Sequence, residues 1–229
     1  MILVAIVGRK AFMKIFIEGG GDSDKLHTEC REAFTKFFAR AGLKERRMMP
    51  RVVACGGRGM AYDRFKTAIE QGEEALLLVD SEAFIATNPA TGKQVGPWAH
   101  LKNRDNWNPP SGATDAHVYL MAQCMESWFV GDRDGFIAYY TKGNRECAPS
   151  KIPVVTDIEP LAKTKVLADL KAASLPSGMA IDYSKGSRSF DILGTIDPEQ
   201  VAKTSYHAQR LFCRLGVTWW AWLNCKDIS

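Results

Sequence analysis

Three acidic residues stand where an apolar run stops. Glu18 follows KIFI in KIFIEGGGDSDKL, Asp80 follows ALLLV, and Glu82 lies two positions on in LLLVDSEAF. A charged group at the end of a buried strand is costly unless it binds something or shapes a turn. Residues i and i+2 of an extended segment point the same way, so Asp80 and Glu82 converge. Three carboxylates with no basic neighbour among them repel one another, and a divalent cation resolves that repulsion. Oxygen ligands suit Mg2+ or Mn2+. Such an ion leaves positions for water and phosphate, which is the equipment of phosphodiester chemistry. Gly19, Gly20 and Gly21 carry no side chains, so a substrate phosphate can come close. The reading assigns Glu18, Asp80 and Glu82 as metal-holding, catalytic acids, with Gly19 and Gly20 at the phosphate. The bland alternative is a tight turn plus a helix N-cap, with Glu18 solvated and Asp80 capping a helix that starts near Glu82.

Other residues carry two readings each. Glu126 in QCMESWF is a further metal ligand or a helix-start carboxylate favoured by the dipole. Arg58 in CGGRGM, and Lys185 and Arg188 in SKGSRSF, neutralise a substrate phosphate or sit in solvated turns. His117 and His207 read as structural. Trp219, Trp220 and Trp222 in TWWAWLN read as core or oligomer contact rather than a base-stacking platform, since no basic residues interleave with them. Neither G-x-G-x-x-G nor G-K-[ST] occurs, which disfavours nucleotide-fingerprint readings.

The elements that must position these groups alternate. KIFIE, RVVAC and ALLLV read as strands. Between them lie a helix from Asp22 to Gly42, with apolar residues at three- and four-residue steps, and a helix over MAYDRFKTAIEQG. Asp22 or Ser23 caps the first helix, and Gly42 ends it. Strands apolar on both faces, separated by helices, predict a parallel sheet covered on both sides. Ligands of such a sheet bind beyond the strands' carboxyl ends. Residues 86–115, rich in Gly, Pro and Asn, read as loops. HVYLMAQ is a fourth strand. Helical segments follow: MESWFVGD, DGFIAYYTKG, EPLAKTKVLADLKAAS, DPEQVAKTS and YHAQRLFCRLG, with SKGSRSFDILGTI as a loop entering a helix.

The 229 residues allow one large domain or a core with an appendage. A composition 46% hydrophobic and 24% charged is that of a globular chain, and a net charge of +4 neither demands nor opposes a nucleic-acid partner. No apolar run approaches the ~20 residues of a membrane span. The apolar start lacks the basic flank and cleavage site of a signal peptide. Residues 1–12 read as an extra strand or an upstream start. The six cysteines are scattered, without C-x-x-C, so they read as buried thiols of a cytoplasmic protein rather than a zinc framework or disulfide scaffold.

IFIEGGGDSDKL followed by ALLLVDSEAF resembles the Toprim domain of topoisomerases, primases and overcoming-lysogenization-defect nucleases, which pairs a strand-end Glu-Gly with a later Asp-x-Asp. A closer resemblance, from Met13 to about Leu215, is to an uncharacterised bacterial family of Toprim-like proteins. It includes HVYLMAQCMESWFVGDRD and YSKGSRSFDILGTIDPEQV. Members of that family are often encoded beside ABC-type ATPases in phage-defence loci. The resemblance implies a Toprim-like α/β core, over residues 1–148; the chain changes character from about Pro149, and 149–229 reads as a helical extension packed on the core, with no counterpart in a minimal Toprim domain. It also implies a Mg2+- or Mn2+-dependent nuclease acting on nucleic acid, DNA ahead of RNA, as an effector working with an ATPase. Glu18 matches the Toprim glutamate and Asp80 the first acid of Asp-x-Asp. Glu82 stands where Asp is usual, which leaves one-metal and two-metal chemistry both open. Two alternatives remain: a partner-binding subunit whose site is latent or lost, and a nucleotide-binding regulator.

Overall fold

The computed structural model describes residues 13–142, 146–177, 182–218 and 220–225. Residues 1–12 and Trp219, read above as an added strand or start and as part of the aromatic tail, lie outside them. The chain folds as an α/β protein. Its sheet contains β1 (Lys14–Ile17), β2 (Arg51–Ala54), β3 (Ala75–Asp80) and β4 (Val118–Met121), all parallel, in the order β2-β1-β3-β4.

The two-residue period of the strands divides the core. Ile15, Ile17, Leu76, Leu78, Tyr119 and Met121 face one layer, and Phe16, Leu77, Val79, Val118 and Leu120 face the other. The second layer is thin. It holds α2 (Arg58–Glu70), through Ala61, Phe65 and Ala68, and α3 (Pro97–Asp105), through Trp98 and Leu101. The first layer holds α1 (Asp24–Arg40) together with the helices that follow the sheet. These are α4 (Ser127–Gly131), α5 (Arg133–Tyr140), α6 (Lys163–Ser174), α7 (Ser187–Leu193), α8 (Pro198–Thr204) and α9 (Tyr206–Arg214). Phe37 of α1 is fully buried, stacked on Trp128 at 5.2 Å and against Phe212 at 5.8 Å, so the late helices share the core of the early strands.

Local chemistry sets the helix limits. Ser23, rather than Asp22, caps α1 by accepting from Leu26 N at 3.2 Å, and Gly42 follows its end at φ 78°. Helix α2 begins at Arg58, ahead of the MAYDRF pattern. The stretch expected to be all loop contains α3. Its Pro97 occupies the first turn, where a missing N–H costs nothing, and Asn106 closes it in the left-handed conformation at φ 57°. Three of the residues that suggested a loop, Gly96, Pro97 and Asn106, are thus the ends of a helix, and the rest of the stretch is irregular apart from the short turn at Asp115.

The six cysteines are not all thiols. Cys213 and Cys225 are joined as a disulfide, because the chain after α9 doubles back and brings their Cα atoms to 5.4 Å. Cys30, Cys55 and Cys124 are buried thiols, and Cys147 is half-buried. Among the described residues no helix is long and apolar enough to cross a membrane.

Candidate metal centre

The strand order places β1 and β3 side by side while their connections leave in opposite directions, β1 toward β2 and β3 toward β4. A crevice opens beyond the carboxyl ends of such a pair. Glu18 is the first residue after β1, anchored by its N–H to Leu78 O at 3.0 Å, and Asp80 is the last of β3. Glu82 follows with its N–H on Gln123 O at 2.9 Å. One carboxylate oxygen from each of Glu18, Asp80 and Glu82 lies within 4.8 Å of the others.

The convergence of Asp80 and Glu82 does not come from extended backbone. Glu82 adopts φ 63°, so the strand has already turned at that point. Nor are the acids without basic neighbours. Arg58 Nη1 donates to Glu18 Oε2 at 3.3 Å and to Asp80 O at 3.0 Å, and its Nη2 to Asp105 Oδ2 at 2.7 Å. Its guanidinium also lies over Trp107, 5.1 Å from the ring centroid. Lys163, the first residue of α6, places Nζ 2.6 Å from Glu82 Oε2 and 3.5 Å from Asp80 Oδ2. Both cations come from far along the chain, which is why the local sequence around the acids shows neither.

Hydrogen bonds hold the remaining carboxylate oxygens in place. Asp80 Oδ1 accepts from Met125 N at 2.8 Å, and Glu18 Oε2 from Asp80 N at 3.1 Å. Burial pushes the Asp80 carboxyl up to about 8, with Glu18 and Glu126 adding repulsion. Burial also raises Glu18, against the pull of Arg58. Glu82 behaves otherwise: burial works upward, but the Lys163 hydrogen bond holds it below the usual carboxylate range.

A cleft of about 350 Å³ opens over these acids. Gly19, Gly20 and Gly21 form one wall, at φ 145°, 97° and 52°. A Cβ on Gly20 would meet His27 Cδ2 at 2.7 Å, so this wall stays free of side chains. Glu126 and Lys185 also line the cleft. Glu126 is buried at the start of α4 without capping it. It accepts from Tyr183 Oη at 2.9 Å, faces Lys185 Nζ at 3.6 Å, and lies outside the three-acid group. Lys185 is half-exposed and reaches the cleft. Arg188 is not in the cleft lining, and Arg58 sits beneath the acids as their partner rather than over the cleft. His117 accepts from Thr114 N in a capping turn. His207 is buried with Nε2 3.2 Å from Gln94 Oε1. They line no part of this cleft. A larger depression of about 640 Å³ lies by Glu159 and His207, where Glu159 accepts from Ser205 Oγ at 2.7 Å and His207 N at 3.1 Å at the start of α9.

Lys163 and Asp105 escaped the sequence reading. Neither sits at a strand end or in a motif, and the only hint was that buried acids need counter-charges. The donor set suits a hard divalent cation: every candidate ligand is a carboxylate oxygen, and a metal would replace the proton that burial favours on Asp80.

Fold and site together define an α/β protein with an acidic cleft at the switch point of a parallel sheet. The model of a domain of unknown function, DUF4276, matches residues 17–216, and the chain belongs to that family. The matched span takes in every residue of the cleft and both sides of residue 148. No curated protein and no solved structure matches the chain.

Proposed function

We propose that the protein is a Mg2+- or Mn2+-dependent nuclease with a Toprim-like active site. One observation carries the reading: carboxylates from two adjacent strand ends meet at the sheet's switch point, beside a glycine wall. Glu18, Asp80 and Glu82 would hold the ion, which when bound supplies charge neutralisation and an activated oxygen for phosphodiester hydrolysis. Lys185, in the lining of the cleft, meets the substrate phosphate, and the bare Gly19–Gly21 wall admits the nucleic-acid backbone. The test is cleavage of supercoiled DNA, linear DNA and RNA in Mg2+, Mn2+ or EDTA. Cutting that needs metal and falls at least about 100-fold in Glu18→Gln and in Asp80→Asn is expected. Cutting that survives both substitutions sinks the assignment.

A second reading has its own support. Arg58 and Lys163 already neutralise much of the acidic group without any ion. The chain would then be a partner-binding subunit with a latent site. By resemblance the partner is an ABC-type ATPase in phage defence. Co-purification of such an ATPase, unaffected by the acid substitutions, together with failure to cut even in its presence, would favour this second reading.

A further inference from the structure

We infer that the cleft takes a single divalent cation per chain, because Lys163 occupies the place of a second one. This rests on the metal reading above. The ammonium lies between Asp80 Oδ2 and Glu82 Oε2, at 3.5 and 2.6 Å, so no ion can be ligated by both of those oxygens while it is there. It is held from behind. Lys163 N donates to Gln123 Oε1 at 3.2 Å, and Gln123 O accepts from Glu82 N at 2.9 Å, so one residue fixes both the lysine and its acid partner. Glu18 Oε1 and Glu82 Oε1 accept no hydrogen bond from the described residues, and Asp80 Oδ1 accepts only the Met125 N–H, so each of the three acids keeps an oxygen open to one ion. Two divalent ions plus Arg58 and Lys163 would overcharge three carboxylates. One ion with both side chains in place comes close to balance.

The experiment counts Mn2+ bound per chain by electron paramagnetic resonance of the free ion, on the full chain. Wild type and Lys163→Arg, which keeps the charge, are expected to bind one ion. Lys163→Met and Lys163→Gln are expected to bind two. Circular dichroism checks that each variant is folded, and either neutral variant suffices. Two ions in wild type, or one ion in a folded neutral variant, overturns the inference while leaving the metal reading standing. No ion in wild type or in any variant overturns the metal reading and this inference with it.

Discussion

Glu82 is the residue on which the local and the long-range forces disagree. Its φ of 63° is a conformation that side chains rarely adopt, costing roughly 1 kcal/mol, and Lys163 and the Gln123 carbonyl hold it there. Arg58 is the other single side chain with wide consequences. Replacing it by Met leaves the partly buried Glu18 carboxylate without its ion-pair partner and Asp105 with Arg104 alone. The expected loss is about 2–4 kcal/mol in urea unfolding. Asp80 sets a pH dependence. Its folded pKa, about 8, exceeds the ordinary 3.8, so the ion-free protein binds the extra proton in the folded state. That contribution is fully present below 3.8 and is lost as pH rises through about 8. His207 acts oppositely. Burial, then Arg210, lowers it from 6.5 to about 3, so its contribution is present above 6.5 and lost as pH falls toward 3. Above 6.5 only the Asp80 trend remains of the two. Melting temperature without divalent ion should therefore fall between pH 6.5 and 8.5, and Asp80→Asn should flatten the fall. A Mg2+-induced rise in melting temperature should grow over the same interval.

The loop after β1 and the turn after β2 act as one unit. Gly19 and Gly56 exchange backbone hydrogen bonds at 2.8 and 2.9 Å, which ties the glycine wall to the start of α2 and so to Arg58. A Cβ on Gly56 would lie 2.5 Å from Gly21 O, and its φ is 73°. Gly56→Ala should cost about 1–3 kcal/mol, read by thermal unfolding, and should weaken Mn2+ binding because both Glu18 and Arg58 are displaced. The same logic explains why α3 escaped notice: its caps are Gly and Asn, its first residue is Pro, and the buried residues of its body are Trp98, His100 and Leu101, too few to show a period.

Across the molecule, the first layer is one continuous packing of early and late residues. Phe37 is its hinge point, touching Trp128 and Phe212. Phe37→Ala should cost about 3–5 kcal/mol. A chain cut after residue 148 removes α6 to α9, and with them Leu170, Leu211, Phe212 and Lys163, from that layer and from the cleft. It should show no cooperative melting transition. Of the tryptophans read as core or oligomer contact, Trp220 is buried against Phe212 at 5.3 Å, and Trp222 is stacked on it but exposed.

Periodicity along the chain was enough to specify the strands, most of the helices and the parallel sheet, because side-chain alternation and helical spacing are properties of neighbouring residues. The strand-end position of Glu18 and Asp80 followed from the same local rule. The counter-charges could not be read there. Arg58 and Lys163 reach the acids through the turn after β2 and through the start of α6, and electrostatic pairing depends on distances that exist only once the sheet and helices have packed. Asp105 under Arg58, the separation of Glu126 from the three-acid group, and the closure of Cys213 on Cys225 have the same origin. Each is a distance between residues apart in sequence, set by the path of the intervening chain rather than by any residue's type.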